Sequence, residues 1–240
     1  MERVRDLGNG FLNKKSILFM GQKGCKNSLD ALQHLKSLGC EVVPLLGDRQ
    51  NNPFQTKDIN WQGDFIFSYR CHWLIKEQIL NKASIAAINF HPGTPNFPGS
   101  GAYSWALYYK KDNFGITIHL MNEKFDNGKI LDVCRFKIDD SYDLPRLIKE
   151  TYNFSLSVFK SFVSKINSTP SQDINYLFSR PRKFNWSGKV NKISDLDKMK
   201  ILTTNLDVTE FERRIRSFNL PNFPIQLNHN GQIFQLSAGK

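Results

Sequence analysis

The sequence predicts an α/β protein with a Rossmann-like, doubly wound and mostly parallel sheet, followed by a small C-terminal attachment. Three observations support this class. Apolar runs of strand length alternate with amphipathic helical segments through about the first 165 residues, as in sheets joined by crossover helices. One apolar run ends in polar side chains, as active-site strands of such sheets do. The alternation stops near residue 180, where Arg180-Pro181-Arg182-Lys183 begins a different composition.

Local signals place the elements of the main unit, residues 1–180. Gly39 ends the first helix, and Pro145 lies in the first turn of a long helix, where its missing N–H costs nothing. The predicted strands cover residues 15–20, 41–46, 64–69, 84–88, 115–121 and 131–138. The predicted helices cover residues 28–38, a segment that ends at residue 80, residues 102–111 and residues 143–167.

The remaining unit, residues 181–240, is predicted to hold a helix over 209–218 and a hairpin over 224–236. Asn230-Gly231 is a typical hairpin turn. An isolated hairpin is marginal in water, and this tail carries many apolar side chains, so it must pack on something. The tail could pack against the main unit or against a second copy of the chain, and both alternatives stay open. We favour the second copy and expect a homodimer, in which truncation after residue 205 would leave the main unit folded.

Charge and composition limit the possible partners. The formal net charge is +11 with a pI of about 9.5, but the basic residues are scattered and no basic tract or aromatic RNA-binding signature is present. We therefore expect no nucleic-acid partner. The charge either favours small anionic ligands or is only solvated surface.

Membrane and metal roles are also disfavoured. No apolar run reaches 18 residues, and the first ten residues do not form a signal peptide. Whether residues 1–14 form part of the fold stays open. The four cysteines have no zinc-site spacing. We expect a cytoplasmic protein with reduced thiols, no metal and no membrane association.

Two common nucleotide fingerprints are incomplete. Gly21 and Gly24 do not complete the dinucleotide-binding Gly-x-Gly-x-x-Gly pattern, and no P-loop follows the first strand. NAD and ATP are therefore disfavoured as ligands.

The candidate catalytic residues are Asn89, His91 and Asp126. Period-2 geometry places Asn89 and His91 on one side of a strand, and a Gly-containing turn can return Asp126 to the same edge. Histidine can move protons near neutral pH, and an asparagine amide can stabilise an oxyanion. No serine or cysteine nucleophile accompanies them, so the set suits direct attack of a substrate nucleophile on a carbonyl. Each residue alone could equally be a cap or a core residue.

The ordered combination resembles a known family. The chain is similar to the folate-dependent formyltransferases over about residues 16–165, and within them most similar to the sugar N-formyltransferases. The motifs that carry the resemblance are Asn89-Phe90-His91-Pro92, Pro98-Gly99, Gly115-Ile116-Thr117-Ile118-His119 and Asp126-x-Gly128-x-Ile130-Leu131.

The resemblance implies binding residues and a co-substrate, N10-formyltetrahydrofolate. The implied folate-binding residues are Phe67, Ser68, Tyr69, Arg70, Leu74 and Ile75. The loop before the third helix is expected to bind the other substrate, with backbone N–H groups near the helix N-terminus facing phosphates. Its predicted residues are Pro92, Gly93, Gly99, Ser100, Gly101 and Tyr103. Ile75 and Tyr103 could instead serve only packing.

The implied reaction is formylation of a nucleotide-linked amino sugar. For this branch the resemblance implies dTDP-4-amino-4,6-dideoxyglucose, made for a surface polysaccharide such as the O-antigen of lipopolysaccharide. Three alternatives stay open: a methionyl-tRNA formyltransferase, a glycinamide ribonucleotide formyltransferase, and a catalytically silent binding module on the same fold. In the mechanism, the proton lost by the amine goes to either His91 or Asp126.

Overall fold

A computed structural model describes residues 10–48, 50, 59–181, 183–187 and 189–236. Within these ranges no helix is both long and apolar enough to span a bilayer. The strands are β1 Ser16–Gln22, β2 Glu41–Gly47, β3 Gly63–Tyr69, β4 Ala83–His91, β5 Asn113–Leu120, β6 Ile130–Lys137, β7 Ile201–Thr203, β8 Gln226–His229 and β9 Gln232–Gln235. The helices are α1 Lys26–Ser37, α2 Glu77–Leu80, α3 Ala102–Tyr108, α4 Leu144–Ser168, α5 Ile174–Ser179, α6 Ile193–Lys200 and α7 Val208–Phe218, with a 3-10 turn at Ser171–Asp173.

The main sheet has six strands in the order β2-β1-β3-β4-β5-β6. Strands β1 to β4 are parallel, while β5 runs antiparallel to β4 and β6 antiparallel to β5. The predicted mostly parallel α/β sheet is therefore confirmed. The antiparallel β5 is important for the site, because it places residues late in β5 beside residues late in β4.

Apolar side chains cover both faces of this sheet. On one face, Phe67 and Phe90 of the sheet share one cluster with Phe159 of α4 and with Leu32 and Leu35 of α1. On the other face, a second cluster includes Leu18, Ile66 and Ile75. Burial on both faces is typical of parallel strands and makes the carboxyl ends of β3 and β4 rigid supports.

Several elements differ from the sequence-based expectations. The helix expected to end at residue 80 is only the single turn α2, and α3 ends at Tyr108 rather than at residue 111. Three short elements beyond residue 170 were not predicted at all: α5, α6 and β7. Short elements of this kind carry little periodicity, so tertiary packing rather than local pattern defines them.

The tail is built into the main core through α7 and the loop after it. Phe218 and Ile225 have no exposed surface and lie in one cluster with Trp105 of α3. The rings of Trp105 and Phe218 meet edge to face at 5.3 Å. Removing everything after residue 205 would expose this cluster, which argues against the expectation that the main unit stays folded without the tail.

The hairpin within the tail is different. Strands β7, β8 and β9 form a separate three-stranded sheet with β9 at its edge. Ile233 is 62% exposed and Phe234 is 49% exposed. The apolar tail residues therefore divide into a group buried against the main unit and a group that this chain leaves uncovered.

Candidate active site

The last residues of β4 carry the first two candidate side chains. Ala86, Ile88 and Phe90 point into the cluster under α4, so the alternate residues Asn89 and His91 point to the other face. His91 is buried, and Asn89 is half-buried. The strand continues through His91, as the period-2 argument requires.

Asp126 reaches the same place from the turn after β5. Its backbone is left-handed, with φ of 41°, and Gly128 follows where any side chain would strike the Leu120 carbonyl. The tight turn brings Asp126 Oδ2 within 3.1 Å of His91 Nδ1. The same oxygen accepts a 2.8 Å hydrogen bond from the Gly99 N–H.

His119 is a fourth member to which the sequence reasoning assigned no role. The antiparallel register sets His119 of β5 directly opposite Asn89 of β4, and Asn89 Nδ2 lies 3.1 Å from His119 Nε2. The other ring nitrogen, Nδ1, lies 2.8 Å from the Leu120 carbonyl oxygen, and Asp126 Oδ1 is 3.5 Å from Nε2. The residue stands in a motif quoted above, but only the strand register shows that it meets Asn89.

These contacts assign proton positions in the neutral site. The Leu120 carbonyl can only accept, so His119 carries its proton on Nδ1, and its Nε2 accepts from the Asn89 amide. One N–H of that amide remains for another partner. By the same reasoning His91 donates from Nδ1 to the Asp126 carboxylate, which leaves a lone pair on Nε2.

The electrostatics favour a neutral His91 and an ionised Asp126. Burial lowers the pKa of His91, with the charge of Asp126 acting in the opposite direction and His119 adding to the lowering. For Asp126, burial alone would raise the pKa, but His91, His119 and the Gly99 N–H together lower it to about 2. Near neutral pH the pair is thus an imidazole held by a carboxylate.

His91 Nε2 is the notable atom of the site. Among the described residues it is buried and has no hydrogen-bond partner. A buried nitrogen without a hydrogen-bond partner destabilises the fold, so its presence calls for a functional explanation. A Cβ on Gly93 would lie 2.4 Å from it, so the absence of a side chain at Gly93 keeps this position open. The geometry suits a general base that receives a proton from a bound group.

Trp186, from the unit after residue 180, lies against both imidazole rings. It was not among the predicted site residues. Its ring meets His91 at 5.7 Å and His119 at 5.1 Å between centroids, both edge to face. Its indole Nε1 donates a 2.7 Å hydrogen bond to the Gly128 carbonyl. No local pattern around residue 186 indicates this contact.

The predicted folate-binding residues are divided by the structure. The side chains of Phe67 and Tyr69 are buried in the core under α4, and the Tyr69 hydroxyl is bonded to Ser155 Oγ, so these two side chains are not available to a ligand. Ser68 is buried and pairs in register with Asn89.

Arg70, Leu74 and Ile75 continue from the end of β3. Arg70 has a left-handed backbone with φ of 61°, donates from Nε to Gln22 Oε1, and stacks on the Tyr152 ring at 4.3 Å. Leu74 is 46% exposed, whereas Ile75 is buried in the core of the other face. Leu74 and Arg70 are therefore the members whose side chains can meet a ligand.

Two backbone N–H groups of the predicted substrate-binding loop already donate hydrogen bonds within the chain. The Gly99 N–H donates to Asp126, and the Ser100 N–H donates to the Asn191 carbonyl at 2.8 Å. The expectation that these two amides face a phosphate is wrong, because each already has an acceptor. Gly101 caps α3 with φ of 77°. Pro92 and Tyr103 are half-buried, and the Tyr103 ring packs on Phe114 at 5.2 Å.

Comparison with known proteins shows a similarity to one family. Residues 48–161 match the family model described as formyl transferase. Over this region, a little under half of its length, the chain is similar to the formyl transferase family. The matched region contains all four residues of the site, Asn89, His91, His119 and Asp126.

A methionyl-tRNA formyltransferase from Mycoplasmopsis pulmonis (strain UAB CTIP) is 26% identical to this chain over 167 residues. That match covers 69% of this chain and 55% of the relative, so the chain spans about half the length of this curated protein.

Solved structures share the fold over almost the whole chain. A sugar N-formyltransferase from Shewanella superposes with a TM-score of 0.71 at 17% identity, covering 93% of this chain and 96% of that one. An N-formyltransferase from Helicobacter canadensis, solved with folinic acid and dTDP-3-aminofucose, superposes with a TM-score of 0.67 at 15% identity, covering 91% and 85%. These matches confirm the predicted formyltransferase fold.

Proposed function

We propose that this protein transfers a formyl group from N10-formyltetrahydrofolate to the amine of a nucleotide-linked amino sugar. The observation that carries the proposal is the lone pair of His91 Nε2, buried without a partner and backed by an ionised Asp126. A neutral base of this kind suits an amine nucleophile, which must lose a proton after it attacks a carbonyl.

The reaction balances with the residues present. The amine nitrogen attacks the formyl carbon, and the carbonyl oxygen takes the negative charge of the tetrahedral intermediate. The free N–H of Asn89 stabilises that charge, a contribution of about 3–4 kcal/mol for such donors. His91 Nε2 accepts the proton of the attacking amine and returns it to the folate nitrogen as the carbon–nitrogen bond to folate breaks. The products are the formamide and tetrahydrofolate.

Asp126 acts on His91 rather than on the substrate. Its carboxylate holds the Nδ1 proton and stabilises the imidazolium that forms when Nε2 takes the proton. With a pKa of about 2, Asp126 is a poor proton acceptor at neutral pH. Of the two candidates for the amine proton, we therefore favour His91.

The folate would lie beside the end of β3. Leu74 is an exposed apolar side chain there, of the kind that packs on a pteridine ring, and Arg70 is a cation for an acidic group of the ligand. When bound, the folate supplies the formyl group. The chain's own residues position it and handle the proton.

A sugar substrate is favoured over tRNA by the extent of the matches. This chain and the Shewanella sugar N-formyltransferase cover each other almost completely, whereas the chain spans only 55% of the methionyl-tRNA formyltransferase from Mycoplasmopsis. The second candidate, formylation of methionyl-tRNA, is supported by the curated relative and by the net charge of +11.

The finer identity of the substrate is also a proposal. We infer a dTDP-linked 4-amino-4,6-dideoxyglucose used for a surface polysaccharide such as the O-antigen, modified by a cytoplasmic homodimer. The Helicobacter structure holds dTDP-3-aminofucose, and this supports a dTDP-linked amino sugar as the class to test first.

The test is a formyl-transfer assay with purified protein and N10-formyltetrahydrofolate. One arm supplies dTDP-4-amino-4,6-dideoxyglucose, a second supplies dTDP-3-aminofucose, and a third supplies methionyl-tRNA. We expect formamide product in a sugar arm only, and calorimetry with folinic acid should show one binding site per chain. Product from the tRNA arm alone would establish the second candidate. Folate binding without product in any arm would indicate a silent binding module.

A further inference from the structure

Trp186 is held over the imidazole pair from two directions. On one side its indole N–H is bonded to the Gly128 carbonyl, in the turn that carries Asp126. On the other side its edge-to-face contacts reach His91 and His119. The indole thus connects three of the pieces that form the site: the end of β4, the end of β5 and the turn after β5.

The segment around Trp186 is itself anchored to the loop before α3. The Ser187 N–H donates to the Pro95 carbonyl, and the Asn191 N–H donates to the Pro98 carbonyl. Asn191 also accepts from the Ser100 N–H, and a Cβ on Gly99 would lie 2.4 Å from its carbonyl oxygen. Gly99 is the residue whose own N–H holds Asp126.

We propose that Trp186 is a positioning residue of the active site, holding the His91 and His119 rings and keeping water from them. The inference rests on the proposed function. The segment after residue 180 then completes the catalytic centre, in addition to any part it has in dimerisation.

The physical reason lies in the state of His91. The titratable groups that act on it are Asp126 and His119, and both are present whether or not the indole is there. What the indole adds is an apolar cover, and removal of water disfavours the charged form of an imidazole. Losing the cover should raise the pKa of His91 and loosen the ring, so that Nε2 is a less available and less well-aimed base.

A measurement that needs no activity separates positioning from packing. Ring NMR titration would follow the five histidines in the wild type and in Trp186→Ala, Trp186→Phe and Trp61→Phe. Trp61 serves as the control, because its indole N–H is also bonded, to Ser16 Oγ, but it is buried in the cluster of the other sheet face, whereas Trp186 is half-buried. We expect the His91 pKa to move toward its ordinary value of about 6.5 in Trp186→Ala and to stay low in the phenylalanine variant and the control.

Kinetics give the second readout. Turnover of Trp186→Ala should fall about tenfold with little change in KM, and the acid limb of its pH profile should move to higher pH. Trp186→Phe should recover most of the rate. If Trp186→Ala does not fold, Trp186→Thr, which keeps some volume but loses most of the apolar cover, takes its place.

The inference is overturned if the His91 pKa and the pH profile of the alanine or threonine variant equal those of the wild type. If the wild type transfers no formyl group to any substrate, the proposed function fails. The histidine titration still decides the place of Trp186 in that case, because it reads only the protonation of His91.

Discussion

Two antiparallel strand pairs of this protein place polar side chains opposite each other, with different consequences. In β4–β5, Asn89 faces His119. In β8–β9, His229 faces Gln232. The first pair is packed within the six-stranded sheet, whereas every residue of β9 is exposed. Similar local geometry therefore occurs once inside the protein and once in water.

The two pairs differ because burial requires each polar side chain to have a defined hydrogen-bond partner, as an active site needs. A buried polar atom without a hydrogen-bond partner costs about 1–3 kcal/mol. Side-chain nitrogens inside the sheet are therefore mostly paired, and the partner determines whether the nitrogen carries a proton. In the described part of the main sheet, His91 Nε2 is the buried side-chain atom without a partner, and it therefore stands out as the reactive atom. On the hairpin, water satisfies each group equally well, and no proton position is selected.

The largest effect should come from breaking the link between the tail and the main unit. Phe218→Ala removes a fully buried ring beside Trp105, and such changes typically cost about 3–5 kcal/mol of unfolding free energy. Phe234→Ala, in the exposed hairpin, should change it by about 0.5 kcal/mol or less. Urea unfolding of both variants measures this. Equal losses would contradict the division of the tail into a buried and an uncovered part.

The next effect concerns the reacting atoms. His91→Ala and Asn89→Ala should each lower turnover by about two orders of magnitude, since each removes a group that acts mainly in the transition state. Binding of the nucleotide sugar and the fold should be kept, as calorimetry and circular dichroism would show. Near-normal turnover in either variant would remove that residue from the proposed mechanism.

A smaller effect on turnover is expected from replacing the histidine of the buried strand pair, and none from replacing that of the exposed pair. His119→Phe keeps a ring in the sheet but removes the acceptor that orients the Asn89 amide, so turnover should fall about tenfold, or 1.4 kcal/mol. His229→Phe makes the same change in the exposed pair and should leave turnover as it is. The test is to compare the steady-state turnover of the two variants. Equal rates would mean that His119 does not position Asn89.

Stability should depend on pH in part through the buried pair, next to a contribution from His34, whose pKa burial also lowers. Burial lowers the pKa of His91 in the folded state, so between that value and about 6.5 the unfolded chain binds more protons. Unfolding free energy therefore falls as the pH drops through this window. Asp126, with a folded pKa of about 2, adds a loss in the same direction between about pH 4 and pH 2. Melting curves of His91→Gln should show a flatter profile in the upper window, and an unchanged profile would contradict a neutral His91.

The smallest effect on stability should accompany a change of assembly. Ile233→Gln with Phe234→Gln leaves the fold untouched, because both side chains are exposed within the chain. If the uncovered hairpin contacts a second copy, as we expect, this variant should be a monomer where the wild type is a dimer. Light scattering at tens of micromolar would show it. A monomeric wild type would instead mean that the hairpin takes no part in self-association.

The fold class and two features of the site follow from the sequence. Alternation of strands and helices, Gly39 after α1 and Pro145 in α4 are local signals, because they follow from backbone geometry and from the burial of one face. The placement of Asn89 and His91 on one side of β4 follows from the period of a strand. The approach of Asp126 follows from a tight turn at Gly128. The first of these needs only neighbours in the chain, whereas the approach of Asp126 to His91 also needs β5 to pair with β4.

The tertiary structure alone decided the rest of the site. Only the antiparallel register of β5 sets His119 against Asn89, only the path of residues 186–191 brings Trp186 over the imidazoles, and only packing shows that the Gly99 amide serves Asp126. It also decided that Phe218 joins the main core while Phe234 does not. These are contacts between residues far apart in sequence, and the free energy that selects them comes from burial shared among many elements, for which no local pattern exists.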